Sequence, residues 1–365
     1  MKKVAVITAL WYEDKYLPAL FASLEATDYP RAAWEIIMID NRNSDVTRRW
    51  VAANVAPKIG QSLPVFTLLP AGNNTGFAAG NNACMKLALE HECDAVYLLN
   101  EDARGDSQFL KEAVRALEND SRLGAVQSFL LLDPVTSGVN SIGNGLHFLG
   151  FSFCEGYKMP RHDAEGYLRV QSLANPRHAI VAASGAAVLY SAAALREVGF
   201  FDESFFMYHE DLDLSLRLRE AGYGLALAPA SRVFHHYDFN RSIDKYYWME
   251  RNRFRLVLEH YKLATLLLLF PGFAAAELGL VFFSLANGTL STRLKAYAYI
   301  LDPRHWAEIA AAREAHFKLR KISDRELLQS AVARISYQEF DSPTVRLSNK
   351  LMAAYWFVAK RLIYW

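Results

Sequence analysis

WEIIMIDNRNSD, residues 34–45, is an apolar run that ends abruptly in a polar cluster, and the same form recurs through the first hundred residues. Val4 to Ala9 reads as a strand with a helix, Tyr16 to Leu24, on its heels. Val65 to Leu69 leads into AGNNTGFAAGNN and a helix through Met85 to Leu89, and Ala95 to Leu99 ends in Asn100, Glu101 and Asp102. Near-continuous apolar strands alternating with helices predict an α/β fold, its sheet mixed but mostly parallel and covered by helices on both faces. In such sheets ligands bind beyond the carboxyl ends of the strands, which is where each polar cluster falls.

Composition narrows the function. With 365 residues, 52% hydrophobic and 22% charged, the chain can bury one large core plus an appendage and is not a disordered protein. Forty basic against 39 acidic residues, a net +1, argues against a nucleic-acid binder that works by neutralising phosphates. The balance is uneven: 21 basic and 28 acidic residues up to residue 240, a net of −7, then 19 and 11, a net of +8. Cys84, Cys93 and Cys154 fit neither a metal spacing nor a disulfide framework, as in a reducing cytosol. MKKVAVITAL superficially resembles a signal peptide, but Trp-Tyr-Glu-Asp-Lys interrupts it, so it reads as a first buried strand.

The acidic cluster Glu210, Asp211 and Asp213 sits in GFFDESFFMYHEDLDLSLRLREAGY, residues 199–223. Leu212 and Leu216, with Leu214 and Leu218 on the adjoining stripe, recur at i and i+4, so the acids open a helix that Gly222 stops. Acids in a first turn commonly do no more than cap. Here the unpaired amides and the helix dipole should keep the carboxylates ionised and able to accept a proton. Each other cluster also has two readings. Asp40 to Asp45 is either a loop of turn formers or holds Asp40 against a nucleotide base. Gly76, Phe77 and Gly80 make either a tight turn or a close backbone approach to a nucleotide. Asn100-Glu101-Asp102 either caps the helix around Phe109 to Leu117 or holds a hard divalent cation against a diphosphate. Arg122 to Asn175, broken by Gly138, Gly143, Gly145, Gly150, Gly156 and Gly166, suits a flexible wall over a site or a β-meander. Ala179 to Tyr190 reads as a strand region of small residues in which Ser184-Gly185-Ala186 lets a ligand approach the backbone. His235 or His236 is either a core histidine or a nitrogen ligand for the metal.

Taken in order, IIMIDNRNSD, NNTGFAAGNN, YLLNED, SGAAVLY, the 199–223 stretch, VFHH and Arg251-Asn252 resemble the family 2 glycosyltransferases of the GT-A (Rossmann-like) fold, most of all their rhamnosyltransferase-like branch. The match spans roughly residues 3 to 255. The resemblance implies transfer of a sugar, rhamnose or another hexose, from a UDP- or dTDP-linked donor to a hydroxyl of a lipid-linked or cell-surface polysaccharide acceptor, with inversion. By position it implies Asp211, with Glu210, as the catalytic pair, Asp211 being the general base. It implies Thr8, Asp40, Asn74, Gly76, Phe77, Asn100, Asp102, Ser184 and Gly185 as donor-binding residues. Asp102, Asn100 and His235 would hold Mg2+ or Mn2+. Asn100 departs from the first aspartate of the family's D-x-D motif, and Glu101 stands where the family often has proline.

The expected organisation is a glycosyltransferase domain over 1–255 and a helical, membrane-associating region over 256–365. Leu263 to Ala286 is long enough to span a bilayer, but Pro271-Gly272 and Glu277 argue for a broken hairpin lying on the membrane; a true span and a buried core helix are the alternatives. Leu347, Leu351, Tyr355, Val358, Leu362 and Trp365 fall on one helical stripe beside Arg346, Lys350, Lys360 and Arg361, suiting either an anionic lipid surface or a protein contact. The expected location is cytoplasmic, peripheral at the inner face of the cell membrane. Two rivals remain: a non-catalytic sugar-nucleotide-binding scaffold on the same fold, and a nucleotidyltransferase. The latter normally carries a basic glycine-rich loop near the N-terminus, which Thr8 to Asp14 does not offer.

Overall fold

The computed structural model describes residues 2–365 except 13, 176–177, 238–243 and 335–342. The strands are β1 (Val4–Leu10), β2 (Trp34–Asp40), β3 (Val65–Pro70), β4 (Ala95–Leu99), β5 (Ala103–Gly105), β6 (Leu123–Leu132), β7 (Val139–Ser141), β8 (Asn144–Leu146), β9 (Ser152–Cys154), β10 (Ala187–Ser191) and β11 (Gly224–His235). One sheet runs β3-β2-β1-β4-β10-β6-β11-β5, with β7 on β6; β8 and β9 form a separate hairpin. Its first four strands are parallel, β10 runs antiparallel between β4 and β6, and β6 and β11 are parallel again.

Alternation along the strands builds a core on each face. Val4, Val6, Ile36 and Met38 enter one apolar cluster; Ala5, Ile7, Ile37 and Ile39 enter the other. Both faces are therefore covered, as the unbroken apolar runs require. Register then aligns the polar ends: Asp40 pairs with Leu10 at the close of β1, and Asn100 follows β4 one strand over.

The four N-terminal strands lie where the apolar runs place them. Three other expectations change. Ala179 to Tyr190 is regular strand only from Ala187; upstream it meets its neighbours in isolated bridges, Ala179 to Ala226 and Ala182 to Asn144. Arg122 to Asn175 is more ordered than its glycines suggest, holding the ten-residue β6 in the middle of the sheet and the helix Arg161–Ala174. Leu263–Ala286 is one continuous helix, not a broken hairpin. Proline deletes a helical hydrogen bond, and in the turn before Pro271 the Tyr355 hydroxyl donates to the Leu268 carbonyl, while Gly272 leaves room for the Tyr355 ring. Pro229 is tolerated within β11 because the register against β6 slips between Ala228 and Arg232, a bulge that needs no ladder donor there.

The helix Glu210–Glu220 opens at the acidic cluster and ends before Gly222, at φ +87. Its two leucine stripes serve different cores. Leu214 and Leu218 pack against the sheet; Leu212 and Leu216 pack with Leu256, Tyr261, Leu327 and Trp356 from the C-terminal helices. The C-terminal region is thus built onto the back of the acidic helix. Leu216→Ala, opening a cavity in that second core, is expected to lower stability by about 2 to 5 kcal/mol in chemical denaturation, with both regions lost in a single transition.

Candidate active site

At the strand ends the polar clusters meet. Asp40 is buried; its Oδ2 accepts the Ser44 N–H at 2.8 Å, and its Oδ1 has no protein partner. The buried hydroxyl of Thr8 likewise has none. Glu101 has a different task from its neighbours. Its carboxylate accepts the N–H groups of Trp11 and Tyr12 at 2.9 to 3.2 Å, tethering the segment after β1 beside Asp40. There the Arg42 guanidinium lies 5.7 Å from the Trp11 ring.

The turn into the helix Gly76–Glu90 is committed internally. Phe77 and Ala78 donate their N–H groups to the Phe206 carbonyl at 2.7 and 3.1 Å, and Asn74 Oδ1 accepts the Gly76 N–H at 3.0 Å. Gly76 has φ +80, and a Cβ there would stand 2.5 Å from the Phe206 ring. The close approach that this glycine permits is to the loop before the acidic helix. The leading amides of this helix thus already have acceptors within the protein. Gly80 makes similar room for Asn41, whose amide donates to the Gly76 carbonyl at 2.8 Å.

Beyond β4, Asn100 donates its N–H to the Ala186 carbonyl at 3.0 Å, while its buried Oδ1 lacks a partner. The β11 and β5 pairing sets His235 opposite Ala103, and His235 Nε2 comes to 3.2 Å from Asp102 Oδ1. The His236 ring lies 5.6 Å from the Tyr16 ring, and its backbone N–H donates to the Asp102 carbonyl at 2.9 Å. His235 Nδ1 is 2.9 Å from Asn140 Oδ1. The tautomer of His235 decides whether Nε2 donates to Asp102 or offers a lone pair beside it. Asn100 Oδ1, Asp102 and His235 make a donor set of hard oxygens and one imidazole, which fits Mg2+ or Mn2+.

The approach to the acidic helix is left-handed at Phe206, Tyr208 and His209, with φ of 62, 65 and 69. Non-glycine residues take this conformation at a cost and hold it only when their surroundings demand it. Buried Asn252 supplies the demand, donating to the carbonyls of Phe205 (2.9 Å), Met207 (2.9 Å) and Tyr208 (2.6 Å). Arg251 donates to Asn252 Oδ1 at 2.8 Å and to the Ser204 carbonyl. Asp211 is then gripped by two amides: Oδ2 accepts the Gly185 N–H at 3.0 Å and Oδ1 the Leu212 N–H at 2.8 Å. Ser184, one residue away, gives its own N–H to Gln127 Oε1 at 2.7 Å.

The three acids differ in charge state. Burial raises the Asp211 pKa despite those two amides. Burial and the Asp211 charge push Glu210 well above the ordinary glutamate range, and its Oε2 has no partner. Desolvation thus outweighs the helix dipole for this pair, raising both carboxyls where the dipole alone would lower them. Asp213 is pulled the other way. Burial is overcome by Arg217, at 2.6 Å, and by His260, at 3.0 Å, so its pKa falls.

Among the described residues, Asp213, His260 and His316 lie close enough together to share a metal. The Arg217 guanidinium on Asp213 and the Glu220 carboxylate 3.0 Å from His260 Nδ1 make this an ion-pair network instead, since a cation would meet one already in place. Burial disfavours charge on His260, but Glu220 and Asp213 lift its pKa to about 9. These partners were not read from the sequence, and neither were Gln127, Asn140 and the tether at Glu101. No local pattern marks residues whose roles depend on a contact 30 to 100 positions away. Arg251-Asn252 was legible only as part of the family series.

The chain belongs to the glycosyltransferase-like family 2, whose model matches residues 2–257. It is 28% identical over 253 residues to an N-acetylglucosaminyl-diphospho-decaprenol L-rhamnosyltransferase of Mycobacterium tuberculosis, covering 65% of this chain and 77% of the relative. A low-salt glycan biosynthesis hexosyltransferase of Haloferax volcanii is 20% identical over 212 residues, 58% of this chain and 60% of that one. Among solved structures, GalNAc-T7 with UDP, GalNAc and Mn2+ superposes with TM-score 0.55 at 13% identity, over 71% of this chain and 48% of that one. S. aureus TarS in complex with UDP-GlcNAc does so with TM-score 0.50 at 13% identity, over 98% and 90%. These superpositions carry the fold, a mixed sheet of the GT-A kind.

The charge network sets a pH dependence. His260 has a folded pKa above its ordinary 6.5, so the stability it contributes is complete below about 6.5 and is lost as pH rises through about 9. In thermal melts His260→Gln is expected to be less stable than the parent at pH 6 by on the order of 2 to 3 kcal/mol. The gap should narrow steadily toward pH 9.5; a gap independent of pH would show that His260 is neutral in the fold.

Proposed function

We propose that this glycosyltransferase is a divalent-metal-assisted, inverting enzyme that moves a hexose from a UDP- or dTDP-linked donor to a hydroxyl of a lipid-linked or polysaccharide acceptor. One observation carries the reading. Asp211 is hydrogen-bonded to Gly185, and the next residue, Ala186, is hydrogen-bonded to Asn100. A half-buried candidate base and a candidate diphosphate cradle thus stand on adjoining backbone.

In this reading Asp40, with Thr8 behind it and Trp11 and Arg42 beside it, receives the nucleoside. Asn74, Gly76, Phe77, Ser184 and Gly185 shape the donor pocket: Phe77 and Gly185 meet, a Cβ on the glycine falling 3.4 Å from the ring. Asn100, Asp102 and His235 hold Mg2+ or Mn2+, which when bound would neutralise the charge gained by the departing diphosphate. Asp211 takes the acceptor hydroxyl's proton as its oxygen attacks the anomeric carbon from the face opposite the diphosphate, so inversion needs no covalent intermediate. Its raised pKa suits it to that transfer. The names of the relatives support the substrate classes: the mycobacterial enzyme's name specifies a diphospho-decaprenol acceptor and rhamnose, and the solved structures hold UDP or UDP-GlcNAc.

The region from residue 256 onward seats the enzyme on the inner face of the membrane in this proposal. Leu263–Ala286 is the one helix among the described residues long and apolar enough to cross a bilayer. Its charged residue faces the protein, however. Glu277 meets Arg253, Arg293 at 3.3 Å and the Tyr297 hydroxyl at 2.7 Å, while Leu267, Phe270, Leu278 and Phe282 are 60 to 68% exposed. One face of this helix packs on the protein and the other is apolar and exposed, a surface suited to lipid contact.

Calorimetric titration with nucleotide diphosphates tests the donor site. UDP or dTDP is expected to bind with Mn2+ and to lose that dependence in Asp102→Ala; no binding of any nucleotide would overturn the reading. Asp211→Asn should bind nucleotide as the parent does yet lower transfer by about 10²- to 10⁴-fold. The acid limb of the parent's rate profile should lie above the ordinary aspartate pKa of 3.8, because burial raises Asp211.

A further inference from the structure

The residues just before β10, Ala182 to Ala186, lie outside the regular strand, and each is held by a different partner. The Ala182 carbonyl accepts the Asn144 N–H at 2.8 Å. Ala183 donates its N–H to Ser215 Oγ at 3.1 Å, Ser184 to Gln127 Oε1 at 2.7 Å and Gly185 to Asp211 Oδ2 at 3.0 Å. The Ala186 carbonyl accepts the Asn100 N–H at 3.0 Å. Three successive amides thus end on side chains, where a strand would have spent them on a ladder. This segment bridges the candidate base and the candidate metal ligands.

The three side-chain acceptors are not equivalent. Asp211 and Ser215 lie one turn apart on the acidic helix, and Ser215 Oγ donates to the Asp211 carbonyl at 2.6 Å, so both belong to that helix. Gln127 is the one of the three that comes from the sheet. Its backbone is fixed on both sides, opposite Val188 on β10 and Leu227 on β11. Its side chain is fully buried within the mostly apolar β6. A buried carboxamide costs free energy unless it is paired, and an aliphatic residue would serve the core better. Here the Ser184 N–H faces Oε1, which fixes the orientation of the amide. Nε2 makes only longer contacts, 3.4 Å each to the Ser141 carbonyl and hydroxyl. The short hydrogen bond of this glutamine is the one to Ser184.

We propose that Gln127 is a positioning residue for the base: from the frame of the sheet it holds Ser184, and through Ser184 it presents the next amide, that of Gly185, to Asp211. It acts through backbone alone. The Gly185 N–H stabilises the charged carboxylate and opposes the rise that burial imposes, so the placement of this amide tunes the base. Among the described residues, the other titratable groups that feel the Asp211 charge are Glu210 beside it, Tyr190 on β10 and Cys154 on β9. A substitution at Gln127 leaves all three in the chain. Its role in turnover rests on Asp211 being the base, as proposed above.

The full chain, isotopically labelled at its aspartate carboxyl carbons, is titrated by NMR without donor or metal, the Asp211 signal being assigned by its loss in Asp211→Asn. Gln127→Met keeps the length of the side chain and removes the acceptor. Gln127→Asn keeps the carboxamide but withdraws it by one methylene. Each is expected to raise the Asp211 midpoint by about one pH unit, as for a carboxylate that loses one of its amide donors. Leu130, buried on the other face of the same strand, supplies the comparison: Leu130→Ala weakens the core without touching Ser184 and should leave the midpoint in place. An unshifted midpoint in the Gln127 variants, an equal shift in Leu130→Ala, or failure of both Gln127 variants to fold would each overturn the proposal; if only one folds, it is read alone. The titration needs no turnover. A shifted midpoint together with undiminished transfer by Asp211→Asn would therefore sink the reading of Asp211 as base alone, and an unshifted one beside an inactive Asp211→Asn would sink only the role of Gln127.

Discussion

Everything about the site depends on a stretch of backbone that would not stay in place by itself. Phe206, Tyr208 and His209 adopt left-handed conformations immediately before the helix that carries Asp211. Their carbonyl neighbours are collected by one buried amide, that of Asn252, with Arg251 bracing it. The same loop delivers the Phe206 carbonyl to the start of the helix Gly76–Glu90. Three segments distant in sequence are thereby locked to one another, and the direction of Asp211 follows from that lock.

The acidic helix also shows how position in a fold assigns separate tasks to similar side chains. Glu210, Asp211 and Asp213 lie within one turn, and all three are buried from water or nearly so. Asp213 meets a guanidinium and an imidazolium and becomes a permanent charge, tying the catalytic helix to the helices behind it. Asp211 meets only backbone amides, which orient a carboxylate without surrendering its basicity. Glu210 meets no compensating charge, and its pKa is raised. The differences come from partners outside the helix, since the dipole acts on all three alike.

The C-terminal region is as much a part of the site's foundation as an addition to it. Leu212 and Leu216 find their core only among its helices, and Asp213 finds His260 there. A boundary drawn after residue 255 by composition thus divides residues that share one core. Glu277 shows the same dependence: in the sequence it is a charge inside an apolar run, and in the fold it joins that run to Arg253 and Arg293.

The sequence by itself determined the alternation of strand and helix, the polar clusters at the strand ends, the start and stop of the acidic helix, and the family. These are local properties: the period of apolar residues, the chemistry of caps and turns, and short motifs in a recognisable order. Only the tertiary structure decided that Gly76 makes room for Phe206, that Glu101 tethers the chain after β1, and that His235 Nε2 lies against Asp102. It alone decided that burial raises the Glu210 pKa and that Leu263–Ala286 continues through Pro271. Each of these turns on a partner tens of residues away, and the strength of a charge or a hydrogen bond is set by what the fold brings beside it and by how much water it leaves there.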